Sequence, residues 1–415
     1  MEFLRLRSSE INAKCLFVGL FVLLFSTKLF AAEVLTETKS IELGLNQTEF
    51  NQLLQSRVDA ARGKLRAVDV WDNPVIEISR EEAGNETEYG LWLRQSFQLS
   101  GQRSINIEAA QTAVTEQEAV NALQRTERIA QIRGYFYQVL FYQRQQLLFK
   151  QWLEKVSVAE SAIEKREIAG DASGYDRRRI SRERLDLQAR LRRSEMELFA
   201  SHEQLLGVIA SDAQLQIGEV TGELLPQQQH PFELLLEKLD QHSMLLQLQR
   251  QSDVARLEAH AFARAGIPDL TLGIGQKYLD SPGENDTGLM LSASLPLPVF
   301  NRKQGEHERA IAQAQQLQSE YRLRLRQLQS NVRSLWHKAD QQRKNTKLFA
   351  EQSVGAATEI VEIAEASYYA SEIGVLELID AYRSALDAEL SVLQMALDSR
   401  LLRIDLDKMT EGYTS

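Results

Sequence analysis

Cysteine is almost missing from this 415-residue chain: Cys15, close to the N-terminus, is the only one. That count excludes a disulfide framework and a thiolate metal site. Proline is scarce, with seven residues, and long tracts lack glycine as well, which leaves room for helices of unusual length. The histidines His202, His230, His242, His260, His307 and His337 are scattered without compact ligand spacing, so no metal site is expected from them. There is no phosphate-loop glycine pattern, no serine nucleophile elbow and no HExxH motif, so neither enzymatic chemistry nor a cofactor is expected. Basic charge is in deficit, 48 Lys and Arg against 58 Asp and Glu for a net of -10, which disfavours a nucleic-acid partner.

Long apolar runs are also lacking, with one exception. Arg5, Arg7 and Lys14 precede the apolar stretch Cys15–Phe25, Lys28 closes it, and Ala31-Ala32 follow as small residues. Residues 1–32 therefore read as a secretory signal peptide, which implies export and a mature chain free of cysteine.

What is present is a duplication. Asp72–Arg103 and Ile267–Arg302 each hold a proline, a short alternating run, a polar loop, Gly-Leu, a second alternating run and a basic helix start. Gly90-Leu91 answers Gly288-Leu289, and Pro74 answers Pro268. The flanking segments repeat in the same order, dividing the chain into residues 33–222 and 223–415. Amphipathic helices are expected over Leu45–Val70 and Phe232–Ala265. Long helices are expected over Ser104–Ala169 and Gln304–Ala370, and return helices over Asp176–Ile209 and Val375–Lys408. If unbroken, Ser104–Ala169 would span about 100 Å. The last helix places Val375, Ile379, Tyr382, Leu386, Leu390, Leu393, Leu397, Leu401 and Ile404 on an eleven-residue pattern, which predicts nearly straight packed helices and excludes a strict leucine zipper.

Strands are expected at Pro74–Arg80, Tyr89–Leu99, Pro268–Gln276 and Gly288–Pro298, with loops at Glu81–Glu88 and Lys277–Thr287. Two of these runs have the roughly 9–11 residues that a tilted membrane strand needs. In one, Leu91, Leu93 and Phe97 alternate with Arg94, Ser96 and Gln98. A soluble sheet packed on one side gives the same alternation. Strand number adds to the argument: four strands cannot close a barrel, and an open edge cannot sit in hydrocarbon, so insertion requires several chains to share one barrel. Tyr89, Trp92, Tyr278 and Phe300 are the candidates for its interfacial girdle.

On Asn73–Glu77, Gln95–Arg103, Ser294–Arg302 and Ser371–Ala381, the chain resembles the TolC-type outer-membrane efflux proteins, and within them the cobalt–zinc–cadmium branch. The resemblance implies a mixed helical and β fold: a homotrimeric outer-membrane β-barrel, four strands per chain and twelve in all, continued by a long periplasmic α-helical barrel. It implies a passive channel exporting divalent heavy-metal cations, served by a periplasmic membrane-fusion adaptor and an inner-membrane RND-type pump, with outer-membrane lipid around the strands. The duplicated turns would form a periplasmic tip, with Gly170, Asp171, Ser173, Gly174, Ser371, Glu372 and Gly374 as adaptor contacts. Glu377 and Asp380, which share a helix face, match acidic positions at the aperture, and Asp176 answers Glu377 in the first repeat. A ring of such carboxylates attracts cations. The plainer account is that they are solvated acids favoured at a helix start. Other functional readings are an exit duct for organic compounds or secreted proteins, and a periplasmic coiled-coil adaptor without a pore.

Overall fold

The computed structural model describes residues 34–210 and 218–412. The expected signal peptide, residues 1–32, lies outside them. The chain runs α1 (Glu37–Leu45), α2 (Thr48–Val68), β1 (Val75–Ala83), β2 (Glu86–Phe97), α3 (Gln102–Ala169) and α4 (Gly174–Ile209). It then repeats that order as α5 (Phe232–Lys238), α6 (Ser243–Arg264), β3 (Leu270–Ser281), β4 (Glu284–Ser294), α7 (Gln304–Phe349), α8 (Gly355–Tyr369) and α9 (Val375–Thr410).

The first leading helix runs Thr48–Val68, within the expected Leu45–Val70, and is preceded by a further short helix, α1. The second leading helix is split where one continuous helix was expected. In the first copy α1 and α2 part at Asn46-Gln47. In the second, a 3₁₀ turn at Leu239–Gln241 separates α5 from α6, and His242 caps α6 by accepting the Met244 N–H at its Nδ1, 3.2 Å away. A capped backbone donor makes a new helix start favourable even inside an apolar-periodic stretch.

The helix α3 is unbroken over 68 residues. Its counterpart is not: a π turn at Ala350–Val354 divides α7 from α8. Just before it, the Thr346 hydroxyl bonds the Gln342 carbonyl at 2.7 Å and reaches the Met395 carbonyl at 3.2 Å, and Gly355 follows it. A side chain competing at the backbone, followed by glycine, is where a long helix loosens.

Three apolar cores lie along the helical bundle among the described residues, one of them joining Leu235 of α5, Leu245 of α6, Leu328 and Val332 of α7 and Leu406 of α9. Nearer the turns, Trp152, Val156 and Ile163 of α3 meet Ile180 and Leu187 of α4, Val361 of α8 and Leu378 and Tyr382 of α9. Ile163 and Ile180 are fully buried, each contributing about 2 kcal/mol of hydrophobic stabilisation. Farther up, Ile132, Phe136 and Leu140 of α3 meet Leu205 of α4 and Leu397 and Ile404 of α9. The eleven-residue positions on α9 are thus its packing face. Charged groups tie the repeats as well: Arg133 of α3 bonds Glu37 of α1 and, at 2.8 Å, Asp407 of α9.

The four strands form one antiparallel sheet in the order β1-β2-β3-β4. The expected loops shrink to two-residue turns, Gly84-Asn85 and Pro282-Gly283, with φ of 66° at Gly84 and 108° at Gly283. Glutamate is a poor strand former, but ladder closure carries Glu81, Glu82 and Glu86 into the strands, and Lys277 pairs with Glu88 across them. At the other end β4 stops at Ser294, short of Pro298, because Pro296 and Pro298 have no N–H to give a ladder.

Candidate conduit surfaces and tip

Register decides what the sheet presents. Ile76, Leu93, Ile274 and Leu291 lie in one cross-strand row, and Ile78, Leu91, Gln276 and Leu289 in the next row on the same face. These side chains are open: Ile78 is 79 % exposed, Leu291 76 % and Leu289 74 %. An apolar face of this extent, rimmed by polar rows, is unfavourable in water and marks a surface meant for lipid or protein. The opposite face carries Glu77 paired with Arg94, Ser79, Lys277, Ser292 and Trp92. One face for hydrocarbon and one for water is the pattern of a barrel wall.

Toward the hairpin tips on the apolar face, Tyr89 and Tyr278 sit opposite each other with ring centroids 6.2 Å apart, and Arg80 lies over Tyr89 at 5.7 Å. Trp92 is on the polar face. It covers Gly275, where an added Cβ would come within 2.7 Å of its ring, and Arg94 lies 5.2 Å from its centroid. Phe300 stands beyond β4 at the helix end of the sheet, 93 % exposed. Near that end Trp71 meets Phe97 edge-on at 6.3 Å beneath Arg103, an aromatic pair that sequence reasoning missed because Trp71 precedes the strand instead of lying in it.

At the far end of the bundle the two turns share one construction. Gly170, at φ 88°, donates its N–H to the Glu167 carbonyl at 3.0 Å, and Asp171 donates to Arg166 at 2.8 Å. In the second copy Ser371, at φ 65°, donates to Tyr368 at 3.0 Å, and Glu372 donates to Ser367 at 2.8 Å. This is the left-handed helix stop that glycine normally supplies, and the second copy builds it on serine. Arg166 bridges the turns, donating to the Tyr368 carbonyl at 2.9 Å and to the Ser371 hydroxyl at 2.6 Å. Gly170, Asp171, Ser173, Gly174, Ser371, Glu372 and Gly374 are all exposed at this end.

The acidic residues divide into two kinds. Asp176 is engaged in a capping box: its carboxylate accepts the Ser173 N–H at 3.2 Å and the Ser173 hydroxyl at 2.9 Å. Glu377 has only Gly374 at the corresponding cap, and neither it nor Asp380 makes a hydrogen bond or ion pair among the described residues. Both line a groove of about 730 Å³ together with Ile360, Ile363 and Leu376, and with Arg179 and Arg383. Arg383 is held by the buried Glu183, which with Asp186 and Asp380 nearby raises its pKa. The groove thus sets two arginines against two carboxylates, a balance that spacing along α9 alone did not reveal. Among the described residues no three His, Cys, Asp or Glu side chains are gathered as a metal site would need, and no helix is long and apolar enough to cross a membrane.

No family model matches the chain. The cobalt-zinc-cadmium resistance protein CzcC of Cupriavidus metallidurans is 24% identical over 366 residues, covering 88% of this chain and 87% of that protein. The fold aligns with CusC, described in terms of folding and transmembrane channel formation, at a TM-score of 0.74 and 16% identity over 90% of this chain and 91% of the other. It also aligns with the open state of the MtrE outer membrane channel of Neisseria gonorrhoeae, at 0.71 and 16% identity over 90% and 88%.

Proposed function

We propose, for a chain that has the fold of the TolC-type outer-membrane efflux channels, that it is the passive outer-membrane duct of a tripartite efflux system. The observation that carries this reading is the four-stranded sheet, open at both edges and apolar on one uncovered face. Such a sheet becomes stable in a bilayer only when other copies close it, since unpaired edge groups in hydrocarbon cost several kcal/mol each. Three copies would supply twelve strands, with the apolar rows toward lipid and the Tyr89–Tyr278 pair at an interface. The helices would extend into the periplasm, and the paired turns at Gly170 and Ser371 would meet an adaptor and, through it, an inner-membrane pump.

Cargo is read most simply as broad. The tip groove mixes isoleucines and a leucine with charges of both signs, a lining suited to organic solutes as well as ions, and a conduit works through weak encounters. A second reading, divalent metal cargo, is favoured by the likeness to CzcC. In that reading Glu377 and Asp380, repeated about the threefold axis, draw cations to the aperture.

Reconstitution of the mature protein in lipid tests the duct: a trimer with ion conductance is expected, and a protein that stays monomeric and silent sinks it. Replacing Glu377 with Gln and Asp380 with Asn should then lower cation preference, as read from reversal potentials. Growth of a deletion strain on divalent metals and on organic toxicants separates the cargo readings.

A further inference from the structure

On the polar face of the sheet the two repeats part company. Counted from the Gly-Leu pair that each repeat contains, Trp92 and Arg94 of β2 are answered by Met290 and Ser292 of β4. Across from them, β3 holds Gly275 opposite Trp92 and Gly273 opposite Arg94. Glycine weakens a strand interior and marks a place where another group comes close to the backbone. Here that group is the indole. A Cβ at Gly275 would lie 2.7 Å from the ring, and Cβ atoms at Gly273 and Gly90 would each lie 3.6 Å from it. Close approach at three positions on two strands lays the ring flat along the sheet. Trp92 is only half-buried, and its N–H makes no hydrogen bond among the described residues. Arg94 stands beside it, 5.2 Å from the ring centroid, drawn toward β1 by its ion pair with Glu77.

We propose that this flat indole is a stacking platform in the wall of the duct, and that planar aromatic solutes are the class of cargo it takes. The inference rests on the duct reading above, in which the polar face lines a water-filled lumen. Trp92 lies near the middle of β2, so a threefold barrel carries three such platforms in one ring at mid-depth. With one face of the indole held against glycine, the other is left for a passing ring. Offset stacking on it is favourable for any planar π-system. Arg94 has donors beyond the one that Glu77 accepts, and with the indole N–H these can donate to an acceptor group at the edge of the solute. An aliphatic solute of the same charge keeps the polar contacts and loses the stacking. The platform is shallow and open on its water side, so residence is brief, as a conduit requires.

Planar bilayers holding the reconstituted protein give the test, with naphthalene-2-sulfonate and cyclohexanesulfonate as probes of equal charge. In the wild type, naphthalene-2-sulfonate is expected to add current noise or brief current steps at concentrations about fivefold lower than cyclohexanesulfonate. The ratio between the two probes is read within each variant, so a change in conductance does not enter it. Trp92→Leu should bring the ratio to one, and Trp92→Phe, which keeps an aromatic face, should retain part of the preference. Equal action of the two probes on a conducting wild type overturns the platform, and so does a preference that survives Trp92→Leu. Loss in Trp92→Phe as complete as in Trp92→Leu counts against stacking. The wild-type comparison decides even where a variant fails to insert. A wild type without conductance overturns the duct itself.

Discussion

Ser371 and Gly170 hold the same left-handed backbone position with different side chains, and the difference can be measured. A left-handed conformation costs a non-glycine residue about 1–2 kcal/mol, and Ser371 is compensated by the hydrogen bond from Arg166. Gly170→Ala should therefore cost about 1 kcal/mol at the first turn. Ser371→Gly should change stability by less, because relief of strain offsets the lost hydrogen bond. Hydrogen exchange at the two turns reads both, and equal damage from the two changes would contradict the account. His242 offers a pH test. It is buried, and its Nδ1 must be unprotonated to accept the Met244 N–H. Burial lowers its pKa from 6.5, opposed by the Glu411 carboxylate 3.8 Å away, which also binds Ser243. The unfolded chain therefore takes up the proton first, so this contribution is intact above about pH 6.5 and fades as the pH falls toward the lower folded pKa. Thermal melts from about pH 7 to pH 5 should fall more steeply for the wild type than for His242→Asn, which can cap without titrating. A parallel decline would refute that role.

Among the elements, periodicity made the strands, long helices and return helices legible, because each rests on a repeating apolar face that a chain must bury or give to lipid. Breaks were less legible. The split at Leu239–His242 and the π turn at Ala350–Val354 come from single backbone competitors, His242 and Thr346, which leave the apolar pattern untouched. Hairpin length was hidden by the glutamates near Gly84, whose side chains look like loop but whose backbone completes the ladder. At the tip, the helical spacing of Glu377 and Asp380 was readable, but the arrival of Arg179 from another element was not. Neighbouring residues of β4 give the sharpest test of the two-faced sheet. Leu291→Arg, on the apolar face, should cost about 2–4 kcal/mol of membrane stability near mid-depth, while Ser292→Arg, on the polar face, should be tolerated. Urea titration of folding into lipid vesicles measures both, and equal tolerance would reverse the faces.

At the scale of the whole molecule, the 68 residues of α3 run without interruption from the foot of the sheet to the turn at Gly170. At 1.5 Å per residue that is a strut of about 100 Å. On the proposed placement it works as a ruler for the cell envelope, setting how far from the outer membrane a partner must stand to be reached. Such a ruler can be lengthened only in whole graduations. Three turns, about eleven residues or roughly 16 Å, return every side chain to its face. The graduation must also be added to the four helical arms together, or the two turns lose the shared level that lets Arg166 bridge them.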